Sequence, residues 1–210
     1  MPRWFRRTYR KWAKHQLERR GYLEFIAHRP AHAYAPDFSD LWFLYKIVRR
    51  RKPTWILEFG SGCSTVILAQ ALWDNERESV EKSSRHVISV DADSYWADAT
   101  SDYLPDHLRA ICRVFYSPLL EVECFGTLAF RHAKVPSVTP DFIYLDGPDL
   151  TPERRVAVDV LDIEDRFQPS FYLVVDGRKE NTTFLLEHLK RRYVYRYRRQ
   201  FRNSIFELIS

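Results

Sequence analysis

The chemistry-bearing residues of this chain gather where apolar runs end in acids. ILEFGSGCST, residues 56–65, closes an apolar run on Glu58 and follows it with Gly60 and Gly62 around Ser61. Glycines so placed let backbone come close to a bound group that a side chain would hold off. Three more runs end the same way: HVISVD at Asp91, DFIYLD at Asp146 and FYLVVD at Asp176. A single acid after a strand reads as a helix cap. Four of them call for a shared reason, and a common binding edge supplies one.

The ligand class follows from what surrounds the glycines. A dinucleotide site asks for G-x-G-x-x-G, the third glycine allowing close helix–strand packing; Thr65 stands at that third position, and no Walker lysine is present. Glu58 would repel a pyrophosphate and suits a cationic group instead. His28 and His32 are four apart but separated by Pro30, which argues against a zinc pair on one helix face.

The elements that must position these residues alternate. Strands are expected at Trp55–Phe59, His86–Asp91, Arg109–Tyr116, Asp141–Asp146 and Phe171–Asp176. Between them the apolar spacing predicts helices at Cys63–Trp73, Ser94–Tyr103, from Pro152 to about Asp165, and at Glu180–Arg192. Tyr193–Arg199 and Ile205–Ile209 read as a terminal antiparallel hairpin. The fold class is α/β: a Rossmann-like, seven-stranded, mostly parallel sheet with a C-terminal antiparallel hairpin and helices on both faces. Right-handed crossovers bring every parallel strand's carboxyl end to one edge, where ligands of open α/β sheets bind. Leu119–Pro136 reads as a long connection bending near Gly126, and its His132 is a candidate base.

Composition bounds the partners. Of the net charge of +5, residues 1–20 alone carry +7, which leaves −2 for the other 190 residues. The basicity therefore belongs to an arm, residues 1–35, ahead of a domain spanning 36–210. Phe5, Tyr9 and Trp12 fall on one side of a helix there, which suits packing on the body, contact with anionic lipid, or a nucleic-acid arm. Cys63, Cys112 and Cys124 are odd in number and lack C-x-x-C spacing, which suits a reducing compartment. No run is long and apolar enough to span a membrane, and the first residues lack the apolar core of a secretory signal. A cytoplasmic protein is expected, with peripheral contact at the inner membrane surface as the arm's option.

With Glu58 before Gly60-Ser61-Gly62, and Ser64-Thr65 where a third glycine often stands, the chain resembles the class I S-adenosylmethionine-dependent methyltransferases over residues 36–209. SVDAD, DFIYLDGPD, VVDGR and the reversed last strands carry the resemblance further, the middle two being similar to small bacterial members. It implies a methyltransferase with S-adenosylmethionine as cofactor, held by Glu58, Gly60, Ser61, Gly62, Ser64, Thr65, Asp91 and Ser117. Glu58 would face the ammonium, the loop and helix start the carboxylate, and Asp91 the ribose hydroxyls. Tyr116-Ser117-Pro118 departs from the acid or amide that many members use for adenine. Gly60→Arg is expected to abolish cofactor binding and leave the domain folded.

Asp146, Asp176 and Arg178 are the candidate catalytic residues. Catechol-type members bind magnesium with acids at such places and an Asn after the second. Gly177 stands at that position here, so one Mg2+ ligand is missing; two carboxylates could still hold Mg2+ weakly, and no metal residues are assigned. O-methylation of a small molecule, a saccharide or a lipid-linked sugar is the leading expectation. An RNA methyltransferase using the arm and Lys190–Arg202, or a cofactor-binding module without turnover, are the alternatives. Oligomeric state is not indicated.

Overall fold

The computed structural model describes residues 3–80, 84–149, 151 and 156–209. The basic arm opens with α1 (Arg3–Glu18), continues through a single 3-10 turn at Glu24–His28, and leads into α2 (Phe38–Arg51). The side chain of Asp37 caps α2 by accepting from Ser39 N–H at 2.9 Å. Then follow β1 (Trp55–Phe59), α3 (Cys63–Glu78), β2 (His86–Asp91), α4 (Ser94–Tyr103) and β3 (Cys112–Tyr116). β4 (Leu119–Cys124) and β5 (Thr127–His132) precede β6 (Phe142–Leu145), α5 (Asp159–Asp162) and β7 (Tyr172–Asp176). The chain closes with α6 (Lys179–His188), β8 (Tyr193–Arg198) and β9 (Asn203–Leu208).

Seven strands form one sheet in the order β3-β2-β1-β6-β7-β9-β8. The first five are parallel, and β9 runs antiparallel to both β7 and β8. The expected fold class is what the structure has. Alternation of side chains along the strands divides the core in two. Ile56, Val87, Phe142, Tyr144, Tyr172 and Val174 meet α1, α2 and α3 on one face. Leu57, Phe59, Val90, Ile143, Leu145, Leu173 and Val175 meet α6 and the segment around Val160 and Ile163 on the other. Ala13 and Leu17 of α1 are fully buried in the first of these, so the arm's helix packs on the body, with Tyr9 beside it.

Two expectations are corrected. The connection after β3 is not a plain loop: β4 and β5 pair as a separate antiparallel hairpin, turning through Phe125 and Gly126, both at positive φ. The alternation of LLEVEC and TLAFRH is the signal for it. The helix expected from Pro152 is only one turn, α5, followed by a 3-10 turn at Glu164–Arg166. Its expected start at 152–155 lies outside the described residues.

Candidate active site

The carboxyl ends of β1, β2, β6 and β7 open onto a cleft of about 530 Å3, within the ~300–1,000 Å3 common for small-molecule sites. Gly60, Ser61, Gly62, Cys63 and Ser64 form one wall; Asp91, Asp93, Trp96, Thr100 and Tyr103 form the next. Arg29 and Ala33–Pro36, a strap from the segment joining α1 to α2, complete the lining. His32 fixes that segment by ring contacts with Tyr95 and Trp96 at 5.4 and 5.3 Å. Asp37, Asp40, Asp146, Asp149 and Asp176 line this cleft and also an adjoining pocket of about 360 Å3, where Arg6, Arg178 and Arg202 join them. The two cavities therefore meet along a row of carboxylates.

The loop after β1 is built for close approach. Gly60 has φ +93°, and a Cβ there would lie 2.7 Å from the backbone nitrogen of Gly147. The loops after β1 and β6 thus touch backbone to backbone. This corrects the expectation for Gly60→Arg: any side chain at 60 drives into Gly147 and disturbs the fold along with the cleft. Asp91, 9% exposed, accepts from Ser61 N–H at 2.8 Å and Ser61 O–H at 2.5 Å through Oδ2. Its Oδ1 accepts from Asp93 N–H at 2.9 Å. The carboxylate thereby fixes the glycine loop at the cleft wall.

Gly60, Ser61, Gly62, Ser64, Asp91, Asp146 and Asp176 thus share one cleft. Glu58, Thr65 and Ser117 do not line it. Period-2 alternation puts Glu58 on the same face as Ile56, beneath α3, where it is wholly buried. Thr65 donates its hydroxyl to Glu58 Oε2 at 2.5 Å and accepts Gly62 N–H at 3.0 Å. Glu58 is thus tied to the glycine loop from below, and its Oε1 is buried with no hydrogen-bond partner. Burial pushes its carboxyl up to about 7 against the hydroxyls of Ser64, Thr65 and Ser89. Ser117 is buried, its hydroxyl accepting Lys134 N–H at 2.8 Å.

Alternation also sends Asp176 to the α2 side, in phase with Tyr172 and Val174, and places Asp146 likewise after Tyr144. Burial first, and the Asp146 charge second, push Asp176 up to about 7. Its Oδ1 accepts from Asn203 Nδ2 at 2.5 Å. Asp146 is solvent-exposed in the cleft, although protein crowds the rest of it; that crowding raises its carboxyl, the Arg178 charge opposes, and Asp149 adds to the rise. Arg178 is 3% exposed and donates to the carbonyls of Asp146, at 2.6 Å, and Pro148. It holds the loop after β6 in place. Burial lowers its guanidinium pKa, with Asp146 and Asp149 opposing.

Asp40 of α2 was not among the residues picked from the sequence. Burial and then the charges of Asp176, Asp37 and Asp146 push it up to about 8, while Arg6 opposes, and its Oδ1 has no hydrogen-bond partner among the described residues. The available signal is its phase: Phe43, Leu44 and Ile47, three, four and seven residues on, are all buried. A carboxylate in line with an apolar stripe marks a site or a strain. His132, by contrast, is buried at 3% exposure against Phe59, with Nδ1 3.2 Å from Asp159 Oδ2. It lines neither cavity, so it is not a base in this cleft.

A catechol-type magnesium site does not fit these residues. Gly177 offers no side chain, one oxygen of Asp176 is taken by Asn203, and three arginines share the pocket. Among the described residues, no group of three His, Cys, Asp or Glu is arranged to hold a metal ion.

No family model matches the chain, and no curated protein matches it in sequence. Solved structures do share its fold. An O-methyltransferase from Bacillus cereus, in complex with SAH, aligns over 92% of this chain and 90% of its own at 16% identity, TM-score 0.55. The methyltransferase PaMTH1 of Podospora anserina, SAH-bound, covers 100% and 89% at 12% identity, TM-score 0.52. TomG of Streptomyces achromogenes, an O-methyltransferase of tomaymycin synthesis in complex with SAM, covers 84% and 82% at 13% identity, TM-score 0.51. The chain has the Rossmann-like fold of the class I methyltransferases.

Proposed function

We propose that the protein is an S-adenosylmethionine-dependent O-methyltransferase acting on a small molecule, a saccharide or a lipid-linked sugar. The observation that carries this reading is the direct opening of a glycine-walled cleft into a carboxylate-lined pocket. Gly60, Ser61, Gly62, Ser64 and Asp91 would hold the cofactor, and Trp96 and Tyr103 would flank it. When bound, S-adenosylmethionine supplies a methyl group on a sulfonium. Arg178 fixes the loop bearing Asp146, so that the acceptor's approach is set by a rigid wall. Asp176 accepts the proton of the acceptor hydroxyl as its oxygen takes the methyl group. A carboxylate poised near neutrality suits that task. The strap of residues 33–36 keeps water from the reacting atoms. The solved relatives with SAM or SAH support the choice of cofactor.

The exposed side of α1 carries Trp4, Arg7 and Lys11, which supports peripheral contact with an anionic membrane rather than insertion. No described helix is long and apolar enough to cross a membrane.

Calorimetric titration with S-adenosylmethionine and with NADH tests the cofactor assignment. Binding of the first without the second is expected, and the reverse refutes it. In a panel of hydroxylated acceptors, release of S-adenosylhomocysteine is expected to rise with pH through about 7, as Asp176 loses its proton. Asp176→Asn is expected to leave cofactor affinity intact and lower turnover by about 100-fold or more. Unchanged turnover would remove Asp176 from the reaction.

A further inference from the structure

Among the described residues, the cleft assigned to the cofactor is lined by seven aspartates and one cation, Arg29. Nothing in the glycine motif or the strand-end acids calls for it, since it comes from the segment between α1 and α2. Its position is built. Phe25, 4% exposed, stacks on Tyr103 with ring centroids 5.8 Å apart and anchors the 3-10 turn that ends just before Arg29. Arg29 Nη2 donates to Tyr34 O at 2.5 Å, which steadies the guanidinium over the cleft and ties it to the strap. Its charge is felt by both the Cys63 thiol at the start of α3 and the Tyr103 hydroxyl on the facing wall. Arg29 shares the cleft lining with Gly62, Cys63 and Ser64, the end of α3 where backbone N–H groups have no partner within the helix.

Among the described residues Arg29 is in no ion pair with these carboxylates; its one side-chain hydrogen bond goes to Tyr34 O, so its guanidinium is free to take an anionic group of a ligand. S-Adenosylmethionine carries only one, the carboxylate of its amino acid head, while its ammonium and sulfonium suit the aspartates. We infer that Arg29 binds the cofactor's carboxylate and makes this cleft selective for nucleosides bearing an amino acid head. The inference rests on the cofactor reading above. A charge-assisted hydrogen bond from guanidinium to carboxylate is directional, and its loss is commonly felt as about 10–100-fold in affinity.

The test compares S-adenosylmethionine with decarboxylated S-adenosylmethionine, which keeps the sulfonium, the ammonium and the adenosine. By calorimetry the unaltered full-length protein is expected to prefer the carboxylated form by about 10-fold or more. Arg29→Ala is expected to lower affinity for S-adenosylmethionine by about 10–100-fold and to change that for the decarboxylated form by no more than about 2-fold. Arg29→Gln should behave alike, and retained binding of the decarboxylated ligand reports that each variant is folded. Equal losses for both ligands in both variants would make Arg29 a structural residue and overturn the inference. So would an Arg29→Ala affinity for S-adenosylmethionine that does not fall. If the unaltered protein binds neither ligand, the cofactor reading beneath fails, and the inference falls with it.

Discussion

The two halves of the cleft share five aspartates but are assembled in opposite ways. The half proposed to hold the cofactor adds the stretches 60–64 and 91–103 to the shared carboxylates, and there backbone and glycine form the wall. The half proposed for the acceptor gathers Arg6, Asp37, Asp40, Asp146, Asp176, Arg178, Phe201 and Arg202 from α1, the start of α2, two strand ends and the turn between β8 and β9. In the first half the determining quantity is space: Gly60 and Gly147 leave no room for a Cβ. In the second it is charge, as carboxylates held above their ordinary range face arginines across a wet pocket. Steric sites fail abruptly on substitution, whereas electrostatic ones retune with pH.

Gly60 and Gly177 put this contrast to its strongest test. Both have positive φ, +93° and +60°. A Cβ at Gly60 would meet Gly147 N at 2.7 Å and Gly147 Cα at 2.9 Å, while one at Gly177 meets nothing within 4 Å. Gly60→Ala should therefore cost about 1–3 kcal/mol of overpacking beyond the ~1 kcal/mol backbone strain that Gly177→Ala alone carries. With about 2–4 °C per kcal/mol for a chain of this size, Gly60→Ala should melt several degrees below Gly177→Ala and bind cofactor weakly. Equal melting temperatures would break the distinction.

Much of this was legible in the residues. ILEFGSGCST and the strand-end acids pointed to residues that share one cleft, because the determinants of its glycine wall are local: a strand, a turn and a helix start. The mostly parallel sheet and its antiparallel terminal hairpin followed from the alternating patterns. Glu58 lies off the cleft for a reason also present in the pattern, since its parity with Ile56 directs it under α3. The acceptor half was only partly readable. Asp146 and Asp176 announced themselves at strand ends, but Asp40 and Arg29 act through tertiary placement of α2 and the strap. No local spacing encodes which strand tips those segments will cover. His132 and Ser117 read as functional by type and place in the chain, and the structure buries both outside the lining of the cleft.

Asp40 gives the next, smaller effect, through pH. Its folded pKa of about 8 and that of Asp176, about 7, lie above the ordinary carboxylate value. Between pH 4 and 8 the folded chain thus binds more protons than the unfolded chain, so stability falls as pH rises through that window. Asp40→Asn removes one of these groups. Its melting temperature should decline less between pH 5 and 8 than that of the unaltered protein, and exceed it at pH 8 by about 2–4 °C for each kcal/mol relieved. Parallel melting curves for the two proteins across this range would show that Asp40 ionises normally, and that charge does not govern the acceptor half.

The mildest expected effect lies outside the cleft, on the exposed side of α1, and asks whether the acceptor pocket's charge logic extends to its rim. Arg6 lines that pocket, Arg10 donates to Pro36 O at 2.9 Å, and Lys14 pairs with Glu18 at 3.2 Å. Those cations are spent on the fold or the pocket. Arg7 and Lys11 are exposed on the outer side with Trp4, which is 69% exposed. Each basic residue near an anionic bilayer contributes about 1 kcal/mol, so Arg7→Gln with Lys11→Gln should weaken binding to phosphatidylglycerol-containing vesicles by roughly 20–30-fold. The melting temperature and the turnover of a water-soluble acceptor should stay unchanged, because neither residue lines the cleft. Vesicle flotation of both proteins at low and physiological salt provides the measurement. If the unaltered protein ignores anionic vesicles, or binds RNA with a steep salt dependence instead, the lipid reading of α1 is overturned while the cleft's chemistry stands.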